Sequence, residues 1–267
     1  MLKDITLGQY FPGDTIVHRL DPRTKILCVL LYIVALFAAS GWICFGIILI
    51  VLAICVLLSR LTLKTIFKGL KPLLIIITIT AVLNAFFTTG DVIFKVWIFT
   101  LTRQGLERAV LMVMRLVMLI TGTLLLTYTT SPIALTDGLE SLLSPLKKLK
   151  LPIHELAMMM SIALRFIPTL IEETDKIMSA QKARGADFET GSLIDRAKAL
   201  MPILVPLFIS AFRRADELAV AMESRCYHGD SGRTRMKQLT MTAADYTALA
   251  LFGVLIVVTV AAKRIGV

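Results

Sequence analysis

Long apolar runs alternate along the chain with short polar breaks. Residues 1–25 are polar and rich in turn signals, "FPGD" and "LDPRTK" among them. The runs "ILCVLLYIVALFAAS" (26–40) and "ICFGIILIVLAICVLL" (43–58) follow, separated only by a Ser40-Gly41-Trp42 turn. So short a connection predicts an antiparallel helical hairpin, and Trp42 suits a membrane–water interface. Three further runs are "LLIIITITAVLNAFF" (73–87), "AVLMVMRLVMLITGTLLLTYT" (109–129) and "ADYTALALFGVLIVVTVAA" (244–262). A helix needs about 20 apolar residues to cross roughly 30 Å of hydrocarbon. The pattern therefore predicts an all-α, polytopic membrane protein with about five spans, near 26–40, 43–58, 73–87, 109–129 and 244–262.

The breaks carry their own pattern. Arg60, Lys64, Lys68 and Lys71 recur at helical spacing in 59–72, which predicts a basic surface helix beside anionic headgroups. Residues 88–108, with Gly90 and Trp97, read as a mixed loop that returns the chain on the far side. Asn84 is expected to bond to a neighbouring helix. Arg115, inside the fourth run, is expected to snorkel to the interface. From Ser131 to about Thr240 the pattern changes: prolines and glycines punctuate it, and charges of both signs enter every turn. No run there crosses a membrane cleanly. Amphipathic helices are predicted near 132–150, 153–184 and 192–226. The chain thus divides into an N-terminal membrane region (1–130), a cytoplasmic coupling domain (131–240) and a C-terminal span (241–267).

Composition agrees with a membrane protein: 57% of the 267 residues are hydrophobic and mean hydropathy is +0.80. The formal net charge of +10 could point to nucleic acid. Lys and Arg sit beside the spans, however, as the positive-inside rule requires, so no nucleic-acid partner is expected. Arg19, Arg23, Lys25, the Arg60–Lys71 stripe and the 131–240 block fall on one side, which should be cytoplasmic. Lys263 and Arg264 fit that orientation less well. Residues 26–39 resemble a signal peptide in their small-residue end, but spans follow at once, and they read as the first span. Cys28, Cys44, Cys55 and Cys226 have no paired spacing. There is no P-loop and no Gly-x-Ser-x-Gly elbow. "HELAM" (154–158) lacks the second histidine of a zinc helix, and His18, His154 and His228 are far apart. The spans hold almost no acids, so an enzyme or ion-coupled carrier has little to work with.

Two segments align on an arginine: "DKIMSAQKARG" (175–185) over "DELAVAMESRC" (216–226). Arg184 continues the face of Ile177, Ala180 and Gln181, and Arg225 that of Leu218, Ala221 and Met222. Neither has an acid three or four residues earlier, so the usual surface pairing is absent. A basic residue suits any helix C-terminus, and Gly185 suits a left-handed cap. That plain account covers each arginine singly. Their matched register points instead to carboxylates on a partner, which arginine holds through two hydrogen bonds. Two such ends imply two similar partners, and a chain without ATP-binding machinery points to a pair of ATPases.

The strings "HRLDPRTKI" (18–26), "TYTTSPIALTDGLESLLSPLKKLKLP" (127–152), "LRFIPTLIEE" (164–173), "AQKARGADF" (180–188) and "PILVPLFISAFRRADELAVAMESRCYHG" (202–229) resemble the CbiQ-like family, the transmembrane T components of energy-coupling factor (ECF) transporters. The resemblance covers nearly the whole chain. It implies a scaffold in a bacterial or archaeal cell membrane, holding two ABC-type ATPases (A and A′) and one substrate-binding S component. ATP and Mg would sit on the ATPases, with no cofactor on this chain. It implies ATPase docking by Ala183, Arg184 and Gly185, an intact Ala-Arg-Gly motif, and by Ser224, Arg225 and Cys226, where the glycine is lost. The backbone geometry at that second end is open at this point. The wording of the first two strings fits the generic, multi-vitamin type better than a dedicated cobalt or nickel type. Contact with the S component falls to "LAMMMSIAL" (156–164) and "ILVPLFISAF" (203–212), including Met158, Met159, Met160, Leu204 and Phe208. Adaptable methionines suit an interchangeable partner, and core packing accounts for them equally. Pro168, Pro202 and Pro206 serve either as pivots or as packed kinks. The alternatives are a conventional ABC permease with its own substrate path, which would need polar spans, and a membrane-embedded enzyme, which would need clustered acids, histidines or cysteines.

Overall fold

The computed structural model describes residues 10–96, 99–150, 152–188, 190, 192–227, 229 and 238–265. Trp97, Gly191 and His228 of the sequence reading lie outside them. The chain forms two compact units, one of Gly8–Leu139 with Leu239–Val267 and one that includes Glu140–Gln238.

The first unit is a helical bundle. Its elements are α1 (Ile16–Arg19), α2 (Pro22–Ala38), α3 (Gly41–Ser59), α4 (Leu63–Leu70), α5 (Leu74–Phe87), α6 (Arg103–Thr129), the start of α7 (Pro132–Leu143), and α10 (Ala243–Ile265). Asp21 caps α2 by accepting from the Arg23 amide, and Pro22 sits at the first helical position, where its missing N–H costs nothing. Tyr32, Ala35 and Leu36 of α2 pack with Cys44, Phe45, Ile48 and Leu52 of α3, Met118 of α6 and Leu255 of α10. A second cluster joins Val56, Ile66 and Leu70 to Val117, Ile120 and Leu125. Ile66 and Leu70 are the apolar face of α4, with Lys64 and Lys68 exposed opposite. Small residues allow close approach: a Cβ on Gly105 would lie 2.7 Å from the Ala85 carbonyl, where α6 passes α5.

Several expectations change. The basic segment is not a separate surface helix. Lys71–Leu73 form one 3-10 turn at Pro72, and Leu63–Phe87 run on as one stretch. Residues 88–108 are more than a loop: Val92–Val96 (β1) and Phe99–Thr102 (β2) pair antiparallel. The Asn84 side chain donates to Thr80 O at 2.9 Å within its own helix, not across helices. Arg115 does not simply snorkel. Its Nη2 donates to Ala39 O, the capping residue of α2, at 3.1 Å. Its guanidinium lies 5.3 Å from the Phe45 ring centroid, near enough for a cation–π contact. Among the described residues, five helices are long and apolar enough to span a membrane: Gly41–Ser59, Leu63–Phe87, Arg103–Thr129, Ile153–Ala183 and Ala243–Arg264. The expected count stands, but the set differs. The 17-residue α2 is shorter than these five. Ile153–Ala183 enters because its first 18 residues hold only Glu155 and Arg165 as charges.

The polar string 18–25 is a clasp, not merely a row of positive charges. Asp245, buried at the start of α10, accepts from the Asp21 amide at 2.8 Å and from the Thr242 amide and hydroxyl at 2.8 and 2.7 Å. Arg23 Nη2 donates to Leu239 O at 2.9 Å. Lys25 Nζ donates to His18 O at 3.0 Å and Thr129 O at 2.9 Å, closing the ends of α1 and α6.

The second unit contains the end of α7, a 3-10 turn (Ser144–Leu149), α8 (Ile153–Ala183) and α9 (Leu193–Glu223). His154, read from sequence as an ordinary helix-start residue, pairs with Glu140 at 2.9 Å, both buried.

Two predictions follow from the bundle. Asp245→Ala should destabilise the purified protein by about 3 kcal/mol, because buried amide donors lose a charged acceptor. A thermal unfolding midpoint equal to wild type would refute the clasp. Gly105→Val should lower that midpoint more than Gly105→Ala does, as α5 and α6 are forced apart at a cost of about 1–3 kcal/mol.

Candidate docking ends

α8 and α9 run antiparallel. Glu173 Oε2 accepts from Arg214 Nη2 at 2.7 Å and Glu173 Oε1 from Ser210 Oγ at 2.5 Å. Further along, Gln181 Nε2 donates to Pro202 O at 3.5 Å. That carbonyl is free because Pro206, four residues on, has no N–H to give it. Ser192 opens α9 with a capping box closed by Asp195.

Both helices end alike. At the end of α8, the Gly185 amide donates to Lys182 O at 3.0 Å and the Ala186 amide to Gln181 O at 3.0 Å. Gly185 is left-handed, with φ +87°. This pair of bonds is a Schellman motif with Arg184 at the capping position. Beyond Glu223, the Cys226 amide donates to Glu223 O at 2.9 Å and the Tyr227 amide to Met222 O at 3.1 Å. Cys226 is left-handed too, at φ +57°. The second end is therefore the same motif, with Arg225 where Arg184 stands. The geometry that the lost glycine left open is kept. Cys226 adopts a conformation that costs a side-chain-bearing residue roughly 1 kcal/mol or more relative to glycine.

Ala183, Arg184, Gly185, Ser224, Arg225 and Cys226 are all exposed. Among the described residues neither arginine side chain makes an ion pair or hydrogen bond. The two ends are not side by side. Arg184 follows closely on Gln181, which touches Pro202, whereas Arg225 lies 23 residues beyond that proline. At 1.5 Å per residue α9 carries it roughly 35 Å away. The aligned sequences could not show this, since equal register says nothing of separation. Along the same helices, Met159, Met160, Leu204 and Phe208 are exposed and Met158 is half-buried. Met201, Val205, Ile209 and Phe212 extend the exposed apolar surface of α9. Val205, Ile209 and Phe212 lie within the 203–212 stretch that the sequence assigned to this surface; Met201 falls just before it, and its spacing with Leu204 and Phe208 marks one broad face.

Known proteins resemble this chain over nearly its whole length. Residues 13–237 match the family model CbiQ, described as cobalt transport protein. Three curated relatives carry the name energy-coupling factor transporter transmembrane protein EcfT. The protein from Thermosediminibacter oceani is 54% identical, covering 99% of this chain and all of its own. The one from Clostridium kluyveri is 56% identical, covering 98% of each. That of Bacillus subtilis strain 168 is 48% identical, covering 93% of this chain and 94% of its own. With matches of this length and identity, the chain belongs to the CbiQ family, the transmembrane components of energy-coupling factor transporters.

Proposed function

We propose that this chain is the non-catalytic scaffold of an ECF-type vitamin or micronutrient importer, joining two ATPases to a substrate-binding S component. One observation carries the reading: two exposed arginines, identically capped and without partners, stand at opposite ends of one antiparallel helix pair. Each can close on a carboxylate of one ATPase. The separation of roughly 35 Å along α9 matches two subunits better than two contacts on one. ATP and Mg belong to those subunits. The 131–240 segment and the N-terminus face the cytoplasm, where the ATP is; α8, although long and apolar enough to span, lies with α9 along the membrane surface, because both arginine ends must reach the same side.

ATP-driven closure of the ATPase pair moves its two grooves, and an arginine held in each transmits the motion to α8 and α9. The Glu173–Arg214–Ser210 network and the Gln181–Pro202 bond tie the helices together, so they move as a pair rather than independently. The exposed apolar face that includes Leu204 and Phe208, with Met158, Met159 and Met160 on α8, is the surface offered to the S component. Such a face is too apolar to stay in water and gains by burial.

The double variant Arg184→Ala/Arg225→Ala should insert normally and lose co-purifying ATPase. Each single variant should reduce the ATPase content from two per chain to one. Undiminished ATPase in the double variant would sink the docking assignment. Cys226→Gly should keep both ATPases and raise stability by about 0.5–1 kcal/mol, because glycine enters the left-handed region without strain. A loss of ATPase in that variant would mean that the cysteine itself makes the contact.

A further inference from the structure

At the turn between α2 and α3, a cavity of about 270 Å3 is lined by Ser40, Gly41, Phe45, Asn84, Arg108 and Arg115, among others. Among the described residues, every charged side chain on its wall is an arginine, and neither is neutralised. Arg115 spends one N–H on Ala39 O, and its Nε is buried without an acceptor. Arg108 is exposed and makes no hydrogen bond or ion pair among the described residues. Nearby acids are engaged elsewhere: Glu107 lies 3.8 Å from Arg103, and Asp91 accepts from Gln104 at 2.7 Å. The two arginines are seven residues apart on one face of α6. About 10 Å of rise separates them, which two arginine side chains can close.

A third source of positive potential meets them there. α3 is 19 residues long and begins at Gly41 on the cavity wall, and the Ser40 side chain does not cap it. The amides of Gly41, Trp42 and Ile43 find no acceptor among the described residues. They carry the positive end of the helix dipole, and an anion would satisfy them. The orientation rule does not account for this cluster. Arg23, Lys25 and Arg60 stand at the other ends of α2 and α3, so the cations here are at the wrong end to be positive-inside charges.

What surrounds the cavity limits the anion. Phe37, Trp42 and Ile43 are 61%, 53% and 56% exposed, an apolar rim next to a cationic hollow. A free anion uses the hollow and leaves the rim bare. A phospholipid uses both, with phosphate against the guanidiniums and acyl chains along the rim. We propose that this cavity binds the phosphate of an anionic phospholipid, bracing the turn between α2 and α3.

Native mass spectrometry of the full-length chain in detergent tests this with phosphatidylglycerol, phosphatidylcholine and inorganic phosphate as probes. Wild type should retain one phosphatidylglycerol about tenfold more tightly than phosphatidylcholine, and Arg108→Gln should abolish that preference. Arg108 has no protein partner among the described residues, so this variant should unfold at the wild-type temperature when lipid is absent. Only wild type should gain thermal stability on adding phosphatidylglycerol. Arg115→Lys, which keeps the charge but not the fork, should fall between the two. Equal retention by wild type and Arg108→Gln would overturn the proposal. So would displacement of the lipid by millimolar inorganic phosphate, which would make the site one for a free anion. If Arg108→Gln instead lowered recovery of partner proteins and left lipid retention unchanged, the cavity would hold a partner's carboxylate, and the lipid assignment would fall.

Discussion

The bundle depends on how its helix ends are closed. In hydrocarbon an unpaired amide or carbonyl has no water to turn to, so a helix end there must be satisfied by protein or by a bound group. Asp245 and Lys25 do this for four helices at once. The carboxylate takes the amide of Asp21 where α2 starts and the amide and hydroxyl of Thr242 where α10 starts, while the ammonium takes the closing carbonyls of α1 and α6. Both charges are buried, and a buried charge is tolerated only when its hydrogen bonds are met. Moving any one of these helices alone would strand a charge, so their ends are fixed as a group.

At the other end of the same helices Arg115 plays the corresponding part for α2, closing Ala39 O and resting against Phe45. It does so without a carboxylate. The two ends therefore differ in electrostatic character. The Lys25 end contains its own counter-charge in Asp21 and Asp245, and the Arg115 end presents uncompensated cations to whatever lies beside it. This asymmetry within one bundle is what gives the lipid-phosphate assignment its physical basis.

The helix pair α8–α9 follows a different logic. Its ion pair, Glu173–Arg214, is partly exposed, and its ends are finished by Schellman turns rather than by neighbouring helices. Backbone closure is thus complete at Arg184 and Arg225 without either side chain. The guanidiniums remain available for an outside partner, and their presentation is rigid because the turns beneath them are hydrogen-bonded. The left-handed Cys226 illustrates the same point: the turn is kept even where its residue is unfavourable.

Hydropathy and helical period were enough to identify an all-α polytopic protein, and the aligned "KARG" and "SRC" ends were enough to single out both arginines. Those properties are local: apolar runs, caps and residue spacing act within a turn or two of the chain. The β-hairpin at 92–102 escaped notice because its strands are only five and four residues long. The clasp escaped because Asp21 and Asp245 are 224 residues apart, and a lysine beside a span looks the same whether it faces headgroups or holds two carbonyls. Likewise Asn84 and Arg115 were polar residues in apolar runs, and only their neighbours decided that one bonds to its own helix and the other to α2. The sequence by itself determined that the chain is built of long apolar helices and that Arg184 and Arg225 stand at two helix ends. Tertiary structure alone decided that the two arginines point to opposite ends of the α8–α9 pair and that the membrane helices are tied at their ends. Direction of packing and the pairing of distant polar groups depend on contacts between elements, which no local period encodes.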